Sequence, residues 1–175
     1  MIEIIPSLLD VDEASFLTHV TGLGHSVEMI QIDIADGVFV PNKTWADPEI
    51  IQKHLALTCE LHLMVADPLV EATRWQGVPQ VRRVLIHYES VHDVANAITS
   101  LKTYGWEIGL VLKPKTPIDV LKPHLASIQT VMFMGVEPGF QGQAFIPETL
   151  NRIREFKKIS SLPVAVDGGV NETTL

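Results

Sequence analysis

Met29-Ile30-Gln31-Ile32-Asp33-Ile34-Ala35-Asp36-Gly37 runs as an apolar strand up to Asp33 and then turns at a glycine. Leu162-Pro163-Val164-Ala165-Val166-Asp167-Gly168-Gly169-Val170 repeats the pattern at Asp167. Each stretch puts an ionisable group where a buried strand gives way to a loop, at the mouth of a parallel sheet. A carboxylate in such a place is desolvated by its neighbours and needs a metal, a cation or a proton. Two of them point to paired acid and base work.

Outward from these stretches, short apolar runs alternate with helix-period segments. The strand candidates are IEIIP (2–6), EMIQIDI (28–34), CELHLM (59–64), RRVLIHY (82–88), WEIGLVL (106–112), TVMFMG (130–135) and PVAVD (163–167). Strands alternating with helices imply parallel βαβ units, and strands apolar almost throughout imply a sheet covered on both faces. Asp10 with Glu13 forms a candidate capping pair ahead of Phe16, Leu17, Val20 and Leu23 at helical spacing. Val94, Ile98 and Leu101 repeat that spacing, as do Leu150, Ile153 and Phe156 after Pro147.

Polar chemistry gathers at the strand ends: Ser7, Asp33, His62, His87, Lys113, the loop Gly135–Gln143 and Asp167, with little at the strand starts. Groups on one rim of every strand predict an α/β fold of TIM-barrel-like (β/α) type with seven parallel strands, whose active site lies at the C-terminal ends. A dinucleotide fold would need a glycine-rich turn after the first strand, and Ile5-Pro6-Ser7-Leu8-Leu9-Asp10 has no glycine.

At 175 residues, 46% hydrophobic and 19% charged, the chain is expected to form one domain over residues 1–175. A net charge of −8 argues against a nucleic-acid surface, so an anionic ligand has to be held locally by backbone N–H groups or a few cations. No apolar stretch is long enough to cross a bilayer, and the start lacks the basic and apolar regions of a signal peptide, so no membrane association and a cytoplasmic location are expected. Cys59, the lone cysteine, reads as a small buried hydrophobe and excludes disulfides within the chain.

Five segments resemble, in order, those of the ribulose-phosphate 3-epimerases: Ile5–Leu9, Asp33–Asn42, Leu61–Val65, Met134–Gln143 and Val166–Val170. The resemblance implies a ribulose-phosphate-binding barrel that inverts C3 of a phosphopentose, D-ribulose 5-phosphate to D-xylulose 5-phosphate, through an enediolate. It assigns Asp33 and Asp167 as the acid/base pair and Ser7, His62, Gly139, Gly142, Gly168 and Gly169 to substrate binding. It further implies a divalent metal (zinc, manganese, iron or similar) on Asp33, His62 and Asp167, with Gln31 at the fourth position, and Met64 and Met134 against the reaction centre. Phe39 and Trp45 are candidates for shielding the site.

Departures are local. Gln31 stands where the family's HxDxMDG has histidine, Ala35 where it has methionine, and Gln141 replaces a glycine of PGFGGQ. A neutral amide is a poorer partner than imidazole for zinc-like ions, so the metal is expected to be weakly held. The sequence reaches Leu175 before a seventh helix or eighth strand, so the eighth βα unit is expected to be missing, and the bare edges of strands one and seven predict a homo-oligomer. These departures also keep open a non-catalytic phosphosugar-binding or structural relative as the alternative. A lyase or decarboxylase of the related phosphate-binding barrels would want a lysine at Ala35. Asp36 is as compatible with turning its loop as with catalysis, His87 and Lys113 with facing water as with touching substrate. His19, His25, His54, His92 and His124 fall in or beside helices, where solvent-facing histidines are expected.

Overall fold

The computed structural model describes residues 2–24 and 26–174. Strands β1 (Ser7–Leu8), β2 (Met29–Ala35), β3 (Thr58–Met64), β4 (Val81–His87), β5 (Glu107–Leu112), β6 (Thr130–Met134) and β7 (Val164–Asp167) form one sheet in sequential order. Every pair is parallel. Helices α1 (Glu13–Leu23), α2 (Pro48–His54), α3 (Pro68–Thr73), α4 (Val94–Lys102) and α5 (Glu148–Ile159) supply the crossovers. Between β5 and β6 the crossover is a 3₁₀ segment, Ile118–Ser127, with Pro123 inside it, where a missing N–H favours the tighter turn over an α-helix.

Alternation along the strands divides the chemistry. One set of side chains, including Ile30, Ile32, Leu61, Leu63, Val84, Ile86, Ile108, Leu110, Val131 and Phe133, packs with Phe16, Ile51, Trp75, Ile98, Leu101 and Phe156 from the crossovers in the main core. The alternate set, with Leu85, Val111, Met132 and Met134, forms a second, inner cluster. Cys59 belongs to the main core, and burial pushes its thiol up to about 12, so it is inert as expected. The sheet curls: β2 and β7 lie five strand spacings apart, about 24 Å if flat, yet donor atoms of Asp33 and Asp167 lie within 4.8 Å.

Two details correct the sequence expectations. The first strand is Ser7–Leu8 rather than residues 2–6; Pro6 has no N–H to give a ladder, and only its carbonyl pairs, accepting from Gln31 N–H at 2.8 Å. The cap of α1 is Asp12, which accepts from Ser15 N–H at 2.8 Å, rather than Asp10; Asp10 is buried and lies 2.7 Å from His19 Nδ1.

Candidate active site at the C-terminal rim

Parallel register assembles the site. β2 and β3 pair with Asp33 opposite His62, β1 and β2 with Ser7 opposite Gln31, and β6 and β7 with Met134 opposite Asp167. His62 Nδ1 lies 2.9 Å from Asp33 Oδ1 and 3.5 Å from Asp167 Oδ2. Gln31 Nε2 donates to Asp33 Oδ1 at 2.8 Å and lies 3.4 Å from His62 Nδ1. The amide as oriented therefore offers the carboxylate a donor rather than offering a metal its oxygen.

Two carboxylates this close in a desolvated pocket cannot both carry charge without compensation. Desolvation, then the charge of Asp33, push Asp167 up to about 6, and its side chain keeps 18% of its accessibility. Burial works against a charge on His62, but its hydrogen bond to Asp33 and the carboxylates around it prevail and raise its pKa. Asp33, His62 and Asp167 can each turn one donor atom toward a common point, all within 4.8 Å of one another. Two carboxylate oxygens and an imidazole nitrogen suit a divalent ion, and the excess negative charge favours one.

A cavity of about 630 Å³ opens over these groups and is lined by Ser7, Gln31, Asp33 and Asp167 together with the glycines at 139, 142, 168 and 169. Met64 and Met134, both buried, line its floor. Gly168 and Gly169 have φ of +89° and +71°, and a Cβ there would come within 2.3 Å of Val136 Cγ2 and 2.7 Å of Phe145 Cα. Only glycine lets this turn pass so close to the loop after β6. His62 is wholly buried and is not among the lining residues; its contacts toward the cavity run to Asp33 and Asp167.

Other residues land elsewhere. Asp36 accepts from the N–H groups of Val38, Phe39 and Ala66 at 2.8, 2.9 and 2.7 Å. Burial opposes its charge, but these donors outweigh it and lower its pKa, so Asp36 shapes the loop after β2. Trp45 packs on Phe16 with ring centroids 5.5 Å apart, away from the cavity, and does not shield it. Phe39 does lie at the rim, 4.9 Å from the His87 ring and under the Lys113 ammonium at 3.8 Å. His54 and His92 are exposed, His124 is half-buried, and His25 lies outside the described residues.

The sequence under-read two groups. His87 is completely buried, with Nε2 3.0 Å from His62 Nε2 and Nδ1 3.5 Å from Glu89 Oε2. Desolvation lowers its pKa to about 4, so it is neutral. Its signal was its inward parity: it occupies the last position of β4 on the face of Leu85. The strand starts also carry polar chemistry: Glu60, nearly fully buried, is 2.8 Å from Arg83, which is 3.0 Å from Glu107. Burial raises the Glu60 pKa, and Arg83 works against that rise.

The Ribulose-phosphate 3 epimerase family model matches residues 3–175. A ribulose-phosphate 3-epimerase of Mycobacterium leprae is 33% identical over 98% of this chain and 79% of its own length. A cytoplasmic isoform of the same enzyme from Oryza sativa is 34% identical over 99% of this chain and 79% of its own. Among solved structures, a tryptophan synthase complex from Pyrococcus furiosus superposes with a TM-score of 0.67 over 96% of this chain and 78% of that one; at 19% identity it shares the fold alone. Matches that follow the chain from the first strand through the glycine turn after β7, at this identity and over this length, assign it: the chain belongs to the ribulose-phosphate 3-epimerase family.

Proposed function

We propose that the protein interconverts D-ribulose 5-phosphate and D-xylulose 5-phosphate by inverting C3. One observation carries this: Asp33 and Asp167 reach the same cavity from strands on opposite sides of the curled sheet, with donor atoms within 4.8 Å. Inversion beside a ketone needs one group to take the C3 proton from one face and a second to return a proton to the other. Asp33 and Asp167 fill these roles, exchanging parts with the direction of reaction. Asp167, raised to about 6, holds or yields its proton close to neutral pH, where general acid–base catalysis is most efficient. Gln31 Nε2 fixes one oxygen of Asp33 at 2.8 Å, orienting the carboxylate. The backbone N–H groups of the turns at Gly139, Gly142, Gly168 and Gly169 take the substrate phosphate, which answers the need for local anion binding in a chain of charge −8. A divalent ion held by Asp33, His62 and Asp167 would supply the positive charge that stabilises the enediolate oxygens.

We further take the chain to work as one domain on a small phosphorylated sugar. The cytoplasmic location of the Oryza sativa relative supports the same for this chain, and no helix among the described residues is long and apolar enough to cross a membrane.

A coupled assay of xylulose 5-phosphate formation, with and without chelator, tests the reading alongside solvent deuterium entry at C3. Asp33→Asn and Asp167→Asn should each slow inversion by roughly 10²–10⁴-fold while ribulose 5-phosphate still binds. Full activity in either variant rejects the two-base assignment. Phosphosugar binding without inversion or exchange in the unaltered protein would identify a non-catalytic relative.

A further inference from the structure

The cavity over Asp33 and Asp167 is acidic: Glu3, Asp33, Glu60 and Asp167 line it, and among the described residues no lysine, arginine or histidine does. A phosphate dianion approaching it, on a chain of charge −8, meets repulsion before it reaches any backbone N–H. A cation at the mouth would offset that repulsion, and a second cavity of about 320 Å³ holds one. Lys113 lines it together with Phe39, Phe140 and Glu137. Pro138, Phe140 and Gln143 border both cavities, so the loop after β6 is the wall between them. That loop rests on the loop after β2, where a Cβ at Gly139 would stand 3.1 Å from Val40 Cβ. Gln143 Nε2 ties the wall together, donating to the carbonyls of Glu137 and Phe140 at 2.7 and 2.9 Å.

Lys113 is set in place by its neighbours. The turn Lys113–Thr116 is closed by Thr116 N–H, which donates to the Lys113 carbonyl at 3.1 Å. Glu89 Oε1 accepts from Lys113 N–H at 2.9 Å and from the Thr116 hydroxyl, and Arg152 Nη2 donates to the Thr116 carbonyl. The segment after β4 and helix α5 therefore both hold this one turn after β5. The ammonium lies 3.8 Å from the centroid of the Phe39 ring, and Phe39 N–H donates in turn to Asp36 Oδ1 at 2.9 Å. A ring face attracts the charge without taking any N–H, so the donors stay open to an anion. Glu137 lines the same cavity, yet among the described residues Lys113 makes no ion pair.

We propose that Lys113 is a specificity-determining residue: its ammonium and the second cavity form an entry subsite that takes the phosphate dianion of the substrate and passes it across the loop after β6 to the glycine turns. The identity of the sugar rests on the epimerase reading; the recognition of a phosphate dianion does not. Lysine suits a transient role, because a compact, hydrated charge with rotatable donors holds a dianion without the fixed fork of an arginine. Lys113 lies outside the cavity that holds Asp33 and Asp167, so the subsite acts before the chemistry. Its loss should weaken capture and leave turnover in place.

Calorimetric titration with D-ribulose 5-phosphate, beside steady-state inversion kinetics, tests this at low and at high salt. Lys113→Met keeps an apolar stem over Phe39 and removes the charge. At low salt it should bind ribulose 5-phosphate about 3- to 10-fold more weakly and raise KM by the same factor, with kcat little changed. At high salt the difference should close. Lys113→Arg should restore most of the affinity. Lys115→Met, at an exposed position on the same turn, makes the same change in net charge and should bind as the unaltered protein does. Unchanged binding in Lys113→Met overturns the proposal, as does an equal loss in Lys115→Met or a fall in kcat at constant KM. Titration reads binding without turnover. Binding that depends on Lys113 and on salt, in a protein that does not invert C3, would reject the function and keep the subsite; inversion indifferent to Lys113 would do the reverse. A protein that binds no ribulose 5-phosphate rejects both.

Discussion

Asp167 is where burial and chemistry pull against each other. Its pKa, raised from 3.8 to about 6 by desolvation and then by Asp33, means that the folded protein binds this proton more tightly than the unfolded chain. The associated stability is fully present below pH 3.8 and is lost as pH rises through about 6. A rise of this size corresponds to at most about 3 kcal/mol, less whatever is shared with Asp33. Asp167→Asn should therefore be more stable than the unaltered protein by about 1–3 kcal/mol at pH 7.5, with the difference closing at pH 4. Denaturant melts at the two pH values, in chelator, measure this. An equal difference at both would mean that packing, not charge, separates them. Gln31 poses the neighbouring question. Its Nε2 donates to Asp33 at 2.8 Å in the place where an imidazole would complete the donor set of Asp33, His62 and Asp167. Gln31→His should raise zinc affinity about tenfold or more by competition with a chromogenic chelator, and a variant that binds no better would show that the amide is not what limits the metal.

At the level of elements, the turn after β7 has the tightest tolerance. A methyl at Gly169 would meet backbone atoms of Phe145, N at 2.8 Å and Cα at 2.7 Å, at a φ of +71°. Neither can yield cheaply, so Gly169→Ala should cost roughly 1–3 kcal/mol of stability and raise the KM for a phosphosugar more than it lowers kcat, since the turn faces the cavity rather than the carboxylates. Steady-state kinetics beside a melt would check both. Such turns were readable in advance because glycine pairs after apolar runs have few other uses. Strands β2 to β7 were equally legible, since each carries a row of apolar side chains at alternate positions, such as Ile30, Ile32 and Ile34 on β2, that does not follow helical spacing. The first strand was misplaced because Ile2 and Ile4 look like strand residues, yet both are exposed and pairing begins at Ser7. Asp12 displaced Asp10 as the cap because two acids stand close enough to compete, and backbone angles, not composition, choose between them. Asp33, His62 and Asp167 were legible from their strand-end positions; His87 was not, because its inward parity with Leu85 shows only once the bounds of β4 are known.

For the molecule as a whole, the two ends of the sheet decide its associations. β1 is two residues long and β7 four, and each has one neighbour in the sheet. The cavity runs between them, lined on one side by Ile2 and Ile4 and on the other by β7. Ile2 is 78% exposed, Ile4 68% and Val170 46%. Among the described residues β1 and β7 are the two ends of the sheet, flanked by exposed apolar side chains, the arrangement that recruits another strand. Light scattering across a dilution series should then show self-association that strengthens with concentration, and Ile4→Lys, which charges the edge without touching Asp33, His62 or Asp167, should weaken it. A stable monomer at high concentration would instead favour direct approach of β1 and β7. Strand number, tilt and shear are linked in a barrel, so that approach would shift Asp33 relative to Asp167 and should appear as a loss of inversion with phosphosugar binding retained. The oligomeric state and the activity of the same sample therefore discriminate together: an active monomer would mean that the curl seen among these strands is rigid enough to hold the two carboxylates without closure.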